Sequence, residues 1–309
     1  MSVVKSIDGV LSGSVSATTP IVLAALGGMY TYYAGIFNIA MEGMMLSGAF
    51  GAVAGSYFGH SWVLGVLGGM GASLVLATLY IGFVILLRTD EFVTGIALNL
   101  ASVGATTFLL RKVFNVAGAV SSSPSTYFEG VPSVNIGLLK SVPVLRALFS
   151  GHTILDWVAL FAVGVSAFVV ARTRYGLRLR AAGYNSASLE ASGVSTRRVR
   201  VIAVLTCGVL CGLAGAFLSI GYLQVFGENM SNGRGWIALA AIVLVRGRPV
   251  GVAAICVLFG FASSVGLKAQ SLHIPPQFTE MLPYLATLVA LYVYAQRQRV
   301  ALRGQVVVG

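Results

Sequence analysis

The chain has 309 residues, of which 57% are hydrophobic and only 9% are charged, and its formal net charge is +11 at neutral pH. Soluble domains carry about 25% charged residues, so this composition excludes a soluble protein and predicts one embedded in a lipid bilayer. The positive charge does not indicate nucleic-acid binding, because the basic residues cluster beside the ends of apolar runs, where membrane topology places them.

Long uncharged runs divide the chain into predicted transmembrane helices, each of which needs about 20 apolar residues. The runs lack the alternation of β-barrel strands, so we predict an all-α polytopic membrane protein with a single transmembrane domain over residues 1–309. Glycines four residues apart, such as Gly51, Gly55 and Gly59, predict close helix contacts. About nine spans (eight to ten) are predicted, near 10–33, 39–59, 62–87, 92–112, 153–172, 200–223, 232–246, 249–268 and 279–297.

The distribution of Lys and Arg predicts which ends of the spans face the cytoplasm. Thirteen of the 20 basic residues fall on one face and seven on the other. The richer face is predicted to be cytoplasmic, so residues 173–199 form a cytoplasmic loop and residues 113–152 a periplasmic one. With nine spans the C-terminus is cytoplasmic and the N-terminus periplasmic. If 232–246 does not cross fully, eight spans place the N-terminus inside.

The first polar break in the apolar pattern is "NIAMEGMM" (38–45), which places Asn38 and Glu42 between two apolar runs. A charged side chain inside a membrane is costly and needs a reason. In one interpretation Glu42 lies at the cytoplasmic interface and accepts from free N–H groups at a helix start that Asn38 caps. In the other it lines a pathway. The two are compatible, and we favour the structural role.

The predicted cytoplasmic segment 172–200 carries seven arginines and one acid, Glu190. Within it Asn185 or Ser186 can cap a helix start and Gly193 can end the helix. The resulting helix of about two turns is too short to be stable alone in water. A short capped helix between basic flanks suits docking into a cleft on a partner protein, which we favour over a role in topology alone.

The second polar break is "FGENMSNGRGW" (226–236), which precedes a short apolar run. A short, Gly-interrupted segment is typical of a broken helix in a transporter, but it is equally typical of an external loop before a short helix. Both breaks separate a long helix from a second one. We therefore hypothesise an inverted repeat in which spans 1–4 correspond to spans 6–9 and span 5 connects them.

The sequence contains no recognisable catalytic motif. The three histidines (His60, His152 and His273) form no H-x-x-x-H pair, and neither a nucleophile elbow nor a phosphate-binding loop is present. We predict a chain without catalytic residues, metal or cofactor, which cannot hydrolyse ATP alone. A stand-alone secondary transporter would need acids or histidines within the membrane. Only Glu42 and Asp156 qualify, and both lie near span boundaries, so that class is disfavoured.

Three stretches resemble permease subunits of bacterial ABC importers for nucleosides and simple sugars, a family related to ribose-type and branched-chain amino-acid permeases. They are "AALGGMYTYYAGIFNIAMEGMMLSGAF" (24–50), "TRYGLRLRAAGYNSASLEASGVSTRRV" (173–199) and "GRGWIALAAIVLVRGRPVG" (233–251). The version "GIFNIAMEG" looks more like the nucleoside branch than the sugar branch. In "LVRGRP", Arg246 stands where the family pattern has a glycine.

The resemblance implies a set of partners in the bacterial inner membrane. A separate ATPase subunit, which carries the ATP and Mg, would grip the 186–193 helix. A second permease chain, often a different one in the nucleoside branch, would complete the pore, and a periplasmic or lipid-anchored binding protein would deliver the solute. That solute would be a nucleoside, with a pentose, a hexose or an amino acid as the alternative.

The resemblance also selects the residues that we expect to act in transport. Those expected to couple the chain to the ATPase are Arg178, Arg180, Gly183, Asn185, Ser188, Glu190, Ala191 and Gly193. Those expected to line the translocation path or its gates are Asn38, Glu42, Asn99, Glu228, Asn232 and Arg234.

Overall fold

The computed structural model describes residues 2–124, 126–134 and 150–270, together with residues 281, 285 and 292. Ten helices form in this part of the chain. Two of them, α3 and α8, continue into π-helical turns at Ile81–Leu86 and Phe217–Leu223. The helices are α1 (Ser2–Tyr33), α2 (Met41–Gly59), α3 (Trp62–Tyr80), α4 (Glu91–Phe114), α5 (Ile154–Arg172), α6 (Arg174–Tyr184), α7 (Ser186–Ala191), α8 (Thr196–Ala216), α9 (Arg234–Leu244) and α10 (Pro249–Gln270).

Six of these helices are long and apolar enough to cross a membrane, which confirms six of the predicted spans and makes the chain a multi-pass membrane protein. The six segments are Gly9–Tyr33, Trp62–Leu86, Glu91–Phe114, Ile154–Arg172, Thr196–Leu223 and Pro249–Ala269. The last predicted span, 279–297, lies outside the described ranges.

The helix α9 is shorter than the membrane span predicted at 232–246. Its eleven residues extend for about 16 Å at 1.5 Å per residue, whereas the hydrocarbon core is about 30 Å thick. A spanning helix at 232–246 is therefore wrong. Residues 225–227 before it pair with residues 119–121, which follow α4, whereas Gly247 after it lies against Tyr32 and Tyr33 at the end of α1. The segment 225–247 thus still leads from one end of the bundle to the other, so the N-terminal orientation of the eight-span alternative does not follow.

The helix α2 is not among the six apolar spans because it is an interior helix rich in small residues. Twelve of its 19 residues are buried, and its glycines bring neighbouring backbones into contact. A Cβ at Gly48 would lie 2.8 Å from the Gly212 Cα in α8, and a Cβ at Gly51 would lie 2.6 Å from the Gly68 carbonyl oxygen in α3. The predicted close contacts are thus confirmed, and they position α2 at the centre of the bundle.

The helix contacts follow the pairing that an inverted repeat predicts. The helix α1 packs on α8, α9 and α10, and α8 packs on α1, α2 and α3. Exchange of α1 with α8, α2 with α9 and α3 with α10 converts the first set of contacts into the second. The fourth pair of the hypothesis involves 279–297, outside the described part of the chain, so the repeat stays a prediction that this packing supports.

Two short pairs of strands hold the predicted periplasmic loop, residues 113–152, against one end of the bundle. The strands β1 (Ala119–Ser121) and β4 (Val225–Gly227) pair antiparallel, as do β2 (Ser133–Val134) and β3 (His152–Thr153). The N–H of Val131 donates to the carbonyl oxygen of Ile220 in the π-helical turn, at 2.9 Å. We call this end of the bundle the hairpin end, and the opposite end, where α7 lies, the α7 end.

Candidate functional site

The two polar breaks of the sequence meet at the carboxylate of Glu42. Its Oε1 accepts the N–H of Gly233 at 2.8 Å and its Oε2 accepts the N–H of Gly235 at 2.6 Å. These donors stand at the start of α9, where N–H groups lack helical partners and carry partial positive charge. The side chain is only 7% exposed. Glu42 therefore holds the start of a short helix inside the bundle.

The glycines of "NGRGW" permit this contact. Gly233 adopts a left-handed conformation, with φ at +78°, which residues with a Cβ rarely adopt. At Gly235 a Cβ would lie 2.7 Å from the Cα, the backbone nitrogen and the Oε2 of Glu42. The backbones of α2 and α9 touch here, and only glycine fits between them.

Glu42 lies well inside the bundle, not at the interface where the sequence placed it. Asn99 of α4 accepts the N–H of Gly43 at 2.8 Å and donates to the carbonyl of Ile39 at 3.0 Å. Asn99 is eight residues beyond Glu91, which corresponds to about 12 Å along α4. The chain therefore leaves α1 at the α7 end and turns back into the bundle through residues 34–40, which we call the re-entrant segment.

Glu42 does accept from free N–H groups at the start of a helix, as one interpretation predicted, but that helix is α9 and not α2. Asn38 is likewise not the cap of α2. Ala40 occupies that position without a side-chain bond, while the Asn38 Oδ1 accepts the N–H of Ala40 at 3.0 Å. The Asn38 amide also lies 3.3 Å from the Cys207 sulfur. Asn38 thus stabilises the re-entrant segment against α8.

Beside Glu42 a cleft of about 240 Å³ opens between α2, α4 and α9. Its walls are open on the side where Leu100 and Trp236 are 69% and 41% exposed. The lining residues are Glu42, Gly43, Leu46, Ile96, Asn99, Leu100, Val103, Asn229, Gly233 and Trp236. The sequence analysis included Trp236 only as the last residue of the second polar break and assigned it no role of its own, although its place between a glycine break and an apolar run was a usable signal.

Like Asn38, three further residues expected on the path are not among those that line this cleft. The Oε1 of Glu228 accepts the N–H of Gly118 at 3.1 Å and lies 3.8 Å from an Arg111 nitrogen, which joins β4 to the ends of β1 and α4. Arg234 donates to the carbonyls of Met230 and Ser231. Asn232 occupies a left-handed turn position, with φ at +44°.

The predicted short helix in the basic segment is present as α7, and its predicted cap is confirmed. The Asn185 side chain accepts the N–H of Ser188 at 3.0 Å, and Gly193 follows the helix with φ at +81°. Leu189 is buried and anchors α7, whereas all eight residues expected to couple to the ATPase are exposed. This end of the bundle therefore presents a small protruding helix to solvent.

The helix α6 was missed by sequence reasoning, which treated 173–199 as a loop with one helix. Its Gly176, Leu179 and Ala182 are buried at a spacing of three residues, which is a helical signal. Arginines between these positions concealed the pattern. Burial raises the pKa of Tyr175 in this helix above its usual range, so its hydroxyl stays neutral.

The re-entrant segment is attached to both sides of α7. A Cβ at Gly183, in the last turn of α6, would lie 2.9 Å from the backbone nitrogen of Gly35. On the other side, the Arg200 Nε of α8 donates to the carbonyl of Ala34 at 3.2 Å. The Glu91 carboxylate accepts the N–H of Phe37 at 2.6 Å. The segment that leads to Glu42 thus begins in contact with the elements that carry α7.

Arg246, which stands where the family pattern has a glycine, lies in a left-handed turn. Arg246 and Gly247 form the turn from α9 to α10, and both are left-handed, with φ at +52° and +72°. Such a conformation costs a residue with a Cβ about 1–2 kcal/mol, which accounts for the glycine in the family pattern.

Comparison with known proteins identifies the family of this chain. Residues 10–291 match the family described as branched-chain amino acid transport system / permease component. The chain is 28% identical to the guanosine ABC transporter permease protein NupQ of Bacillus subtilis, over 94% of this chain and 93% of that one. It is 29% identical to the nucleoside ABC transporter permease protein NupC of Lactococcus lactis, over 95% and 94%.

Two further likenesses extend the comparison. The chain is 31% identical, over 92% of its length and 90% of the relative's, to TsgC13 of Haloferax volcanii, a permease protein whose name assigns it to glucose. Its fold resembles that of an ABC transporter solved in an inward-facing conformation, with a TM-score of 0.52 and 15% identity over 93% of this chain and 85% of that one.

Proposed function

Because this chain belongs to the branched-chain amino acid transport system / permease component family, we propose that it is one permease subunit of an ABC importer for nucleosides. A separate ATPase subunit powers transport, and this chain supplies part of the translocation path. Relatives named for guanosine and for nucleosides match it over more than nine-tenths of both chains, which supports the choice of solute.

The observation that carries the proposal is the one-sided cleft beside Glu42. A buried carboxylate and irregular backbone are tolerated at membrane depth only where protein or a water-filled cavity covers them. A second permease subunit facing the cleft would provide that cover, and the path would then run between two chains. The second chain is proposed to be a different permease, which makes the pore a heterodimer.

The cleft offers contacts that suit a nucleoside. The half-exposed indole of Trp236 is a flat surface on which a base can stack, as bases do on aromatic side chains. Each carboxylate oxygen of Glu42 accepts one backbone N–H and keeps a further lone pair for an N–H or O–H of the solute. A sugar would use the same groups, and the likeness to TsgC13 makes glucose the second candidate.

The α7 end is proposed to face the cytoplasm, where α7 docks in a cleft of the ATPase that binds ATP and Mg. The arginines of α6 and of the first turn of α8 flank α7 in the chain and are exposed, as expected for a cytoplasmic surface. The helix α1 begins at the hairpin end, which supports a periplasmic N-terminus if the α7 end is cytoplasmic. A periplasmic or lipid-anchored binding protein would dock at that end, and the membrane would be the bacterial inner membrane.

The test is solute uptake into liposomes that contain this chain, its partner permease, its ATPase and its binding protein. ATP-dependent uptake of labelled guanosine is expected, with competition by other nucleosides but not by glucose or leucine. Uptake of glucose alone would favour the second candidate. Uptake by the purified chain alone under a proton gradient would show a secondary transporter and refute the proposal.

Two matched variants connect uptake to the cleft. Trp236→Ala removes the proposed stacking surface and should raise the KM for guanosine. Phe161→Ala removes an exposed aromatic ring of α5 that is remote from the cleft and should leave the KM unchanged. If the two substitutions change the KM for guanosine equally, the cleft does not lie on the transport path.

A further inference from the structure

We infer that Glu42 determines which class of solute the cleft admits: by occupying the start of α9, it excludes anions and admits neutral solutes. The inference rests on the proposed function, because it assumes that the cleft lies on the transport path. It goes beyond that function by assigning selectivity to one residue.

The first observation is that two of the donors which would attract an anion at the start of α9 already bind a carboxylate. The start of a helix binds phosphate and carboxylate groups through its free N–H groups, and broken helices in transporters present such starts to anionic substrates. Here the N–H groups of Gly233 and Gly235 both bind Glu42. The neighbouring N–H of Gly43 donates to Asn99. A solute in the cleft therefore meets a filled anion site.

The second observation is the charge of the lining. Among the ten residues that line the cleft, Glu42 is the only ionisable one, and no Lys, Arg or His is present. Water and salt screen charges poorly at this depth. An entering phosphate or carboxylate would face Glu42 without a counter-charge, whereas a hydroxyl or amino group could donate to it.

The geometry therefore discriminates among the solutes of the family. A nucleoside or a sugar is neutral and rich in donors, and it fits this lining. A nucleotide carries a phosphate, which gives it a net negative charge, and it is disfavoured. Removal of the Glu42 carboxylate should expose the start of α9 and convert the cleft into an anion site.

The first experiment measures anion binding through thermal stability, with the assembled transporter in nanodiscs. Acetate should raise the unfolding temperature of Glu42→Ala in a dose-dependent manner, because it replaces the missing carboxylate, whereas neutral acetamide should not. Wild type should respond to neither compound. Glu228→Ala, which removes an exposed carboxylate from another backbone N–H, is the control and should not respond. If acetate and acetamide act alike on Glu42→Ala, the inference is wrong.

The second experiment measures equilibrium binding of guanosine and guanosine monophosphate to the same complex without its binding protein. Wild type should prefer guanosine by roughly tenfold or more, and Glu42→Ala should reduce that ratio. The near-isosteric Glu42→Gln keeps the shape of the side chain and serves if the alanine variant does not fold. A preference that is unchanged in a folded variant overturns the inference. Failure of wild type to bind guanosine refutes the proposed function instead, and the acetate experiment still tests the filled anion site.

Discussion

Gly235→Ala tests whether the contact between α2 and α9 organises the site. The added Cβ would lie 2.7 Å from the Cα and the backbone nitrogen of Glu42, whereas ordinary contact begins at 3.4 Å. Because both atoms belong to the backbone, they cannot rotate away from the new Cβ. The two helices must therefore separate by about 0.7 Å in a close-packed interior. The two hydrogen bonds of Glu42, now 2.6 and 2.8 Å long, would then stretch to about 3.3–3.5 Å, beyond the usual N–H···O range.

The expected loss of stability follows from these two effects. Overpacking of a closed core costs about 1–3 kcal/mol, and a hydrogen bond to a charged group contributes about 1.5–3 kcal/mol. With both bonds weakened, we expect Gly235→Ala to lower the free energy of unfolding by about 3–6 kcal/mol. Uptake should fall with it, because the start of α9 moves away from Glu42.

The assay is thermal and denaturant unfolding of the purified protein in detergent, beside a matched glycine substitution. Gly104 lies in α4, and a Cβ there would have no atom within 4 Å. Gly104→Ala should therefore be neutral, or stabilising by up to about 1 kcal/mol, because alanine favours the helix. If Gly235→Ala and Gly104→Ala prove equally stable, α2 and α9 do not approach closely at Gly235, and the described contact between Glu42 and the start of α9 is wrong.

Three other substitutions separate the roles of the remaining residues. Asn185→Ala removes the cap of α7, worth about 1 kcal/mol, and should lower uptake per ATP hydrolysed; unchanged coupling would argue against α7 as the docking helix. Asn99→Ala leaves the N–H of Gly43 unpaired and should cost about 1–3 kcal/mol, measured as a lower unfolding temperature; no change would mean that water replaces the amide. Glu228→Gln keeps an oxygen that can accept the N–H of Gly118 and weakens the exposed pair with Arg111, worth under about 1 kcal/mol, so uptake should stay near wild type; a severe loss of uptake would indicate that Glu228 lines the path.

The features that the sequence predicted well depend on local rules. A membrane demands continuous apolar length, so six spans could be recognised from composition alone. The cap of α7 uses Asn185 and a donor only three residues away, so the short helix and its end at Gly193 were also predictable. In both cases the determining residues are neighbours in the chain.

The features that were missed depend on contacts between distant residues. The donors that Glu42 binds are 191 and 193 residues away, and no periodicity carries that pairing. The apolar run of α9 looks like a spanning helix because burial in protein and burial in lipid select the same side chains. The depth of Glu42 depends in turn on its contact with α9, so it could not be read from its place after the first span.

The attachment of the re-entrant segment has a mechanical consequence. Ala34 and Gly35 touch the two elements that flank α7, and only six residues separate Gly35 from Glu42. Any tilt of α6 against α8 must either break these contacts or drag the segment along its own axis. A force applied outside the membrane can therefore reach the buried carboxylate through one short stretch of backbone, without a relay of side chains across the bundle.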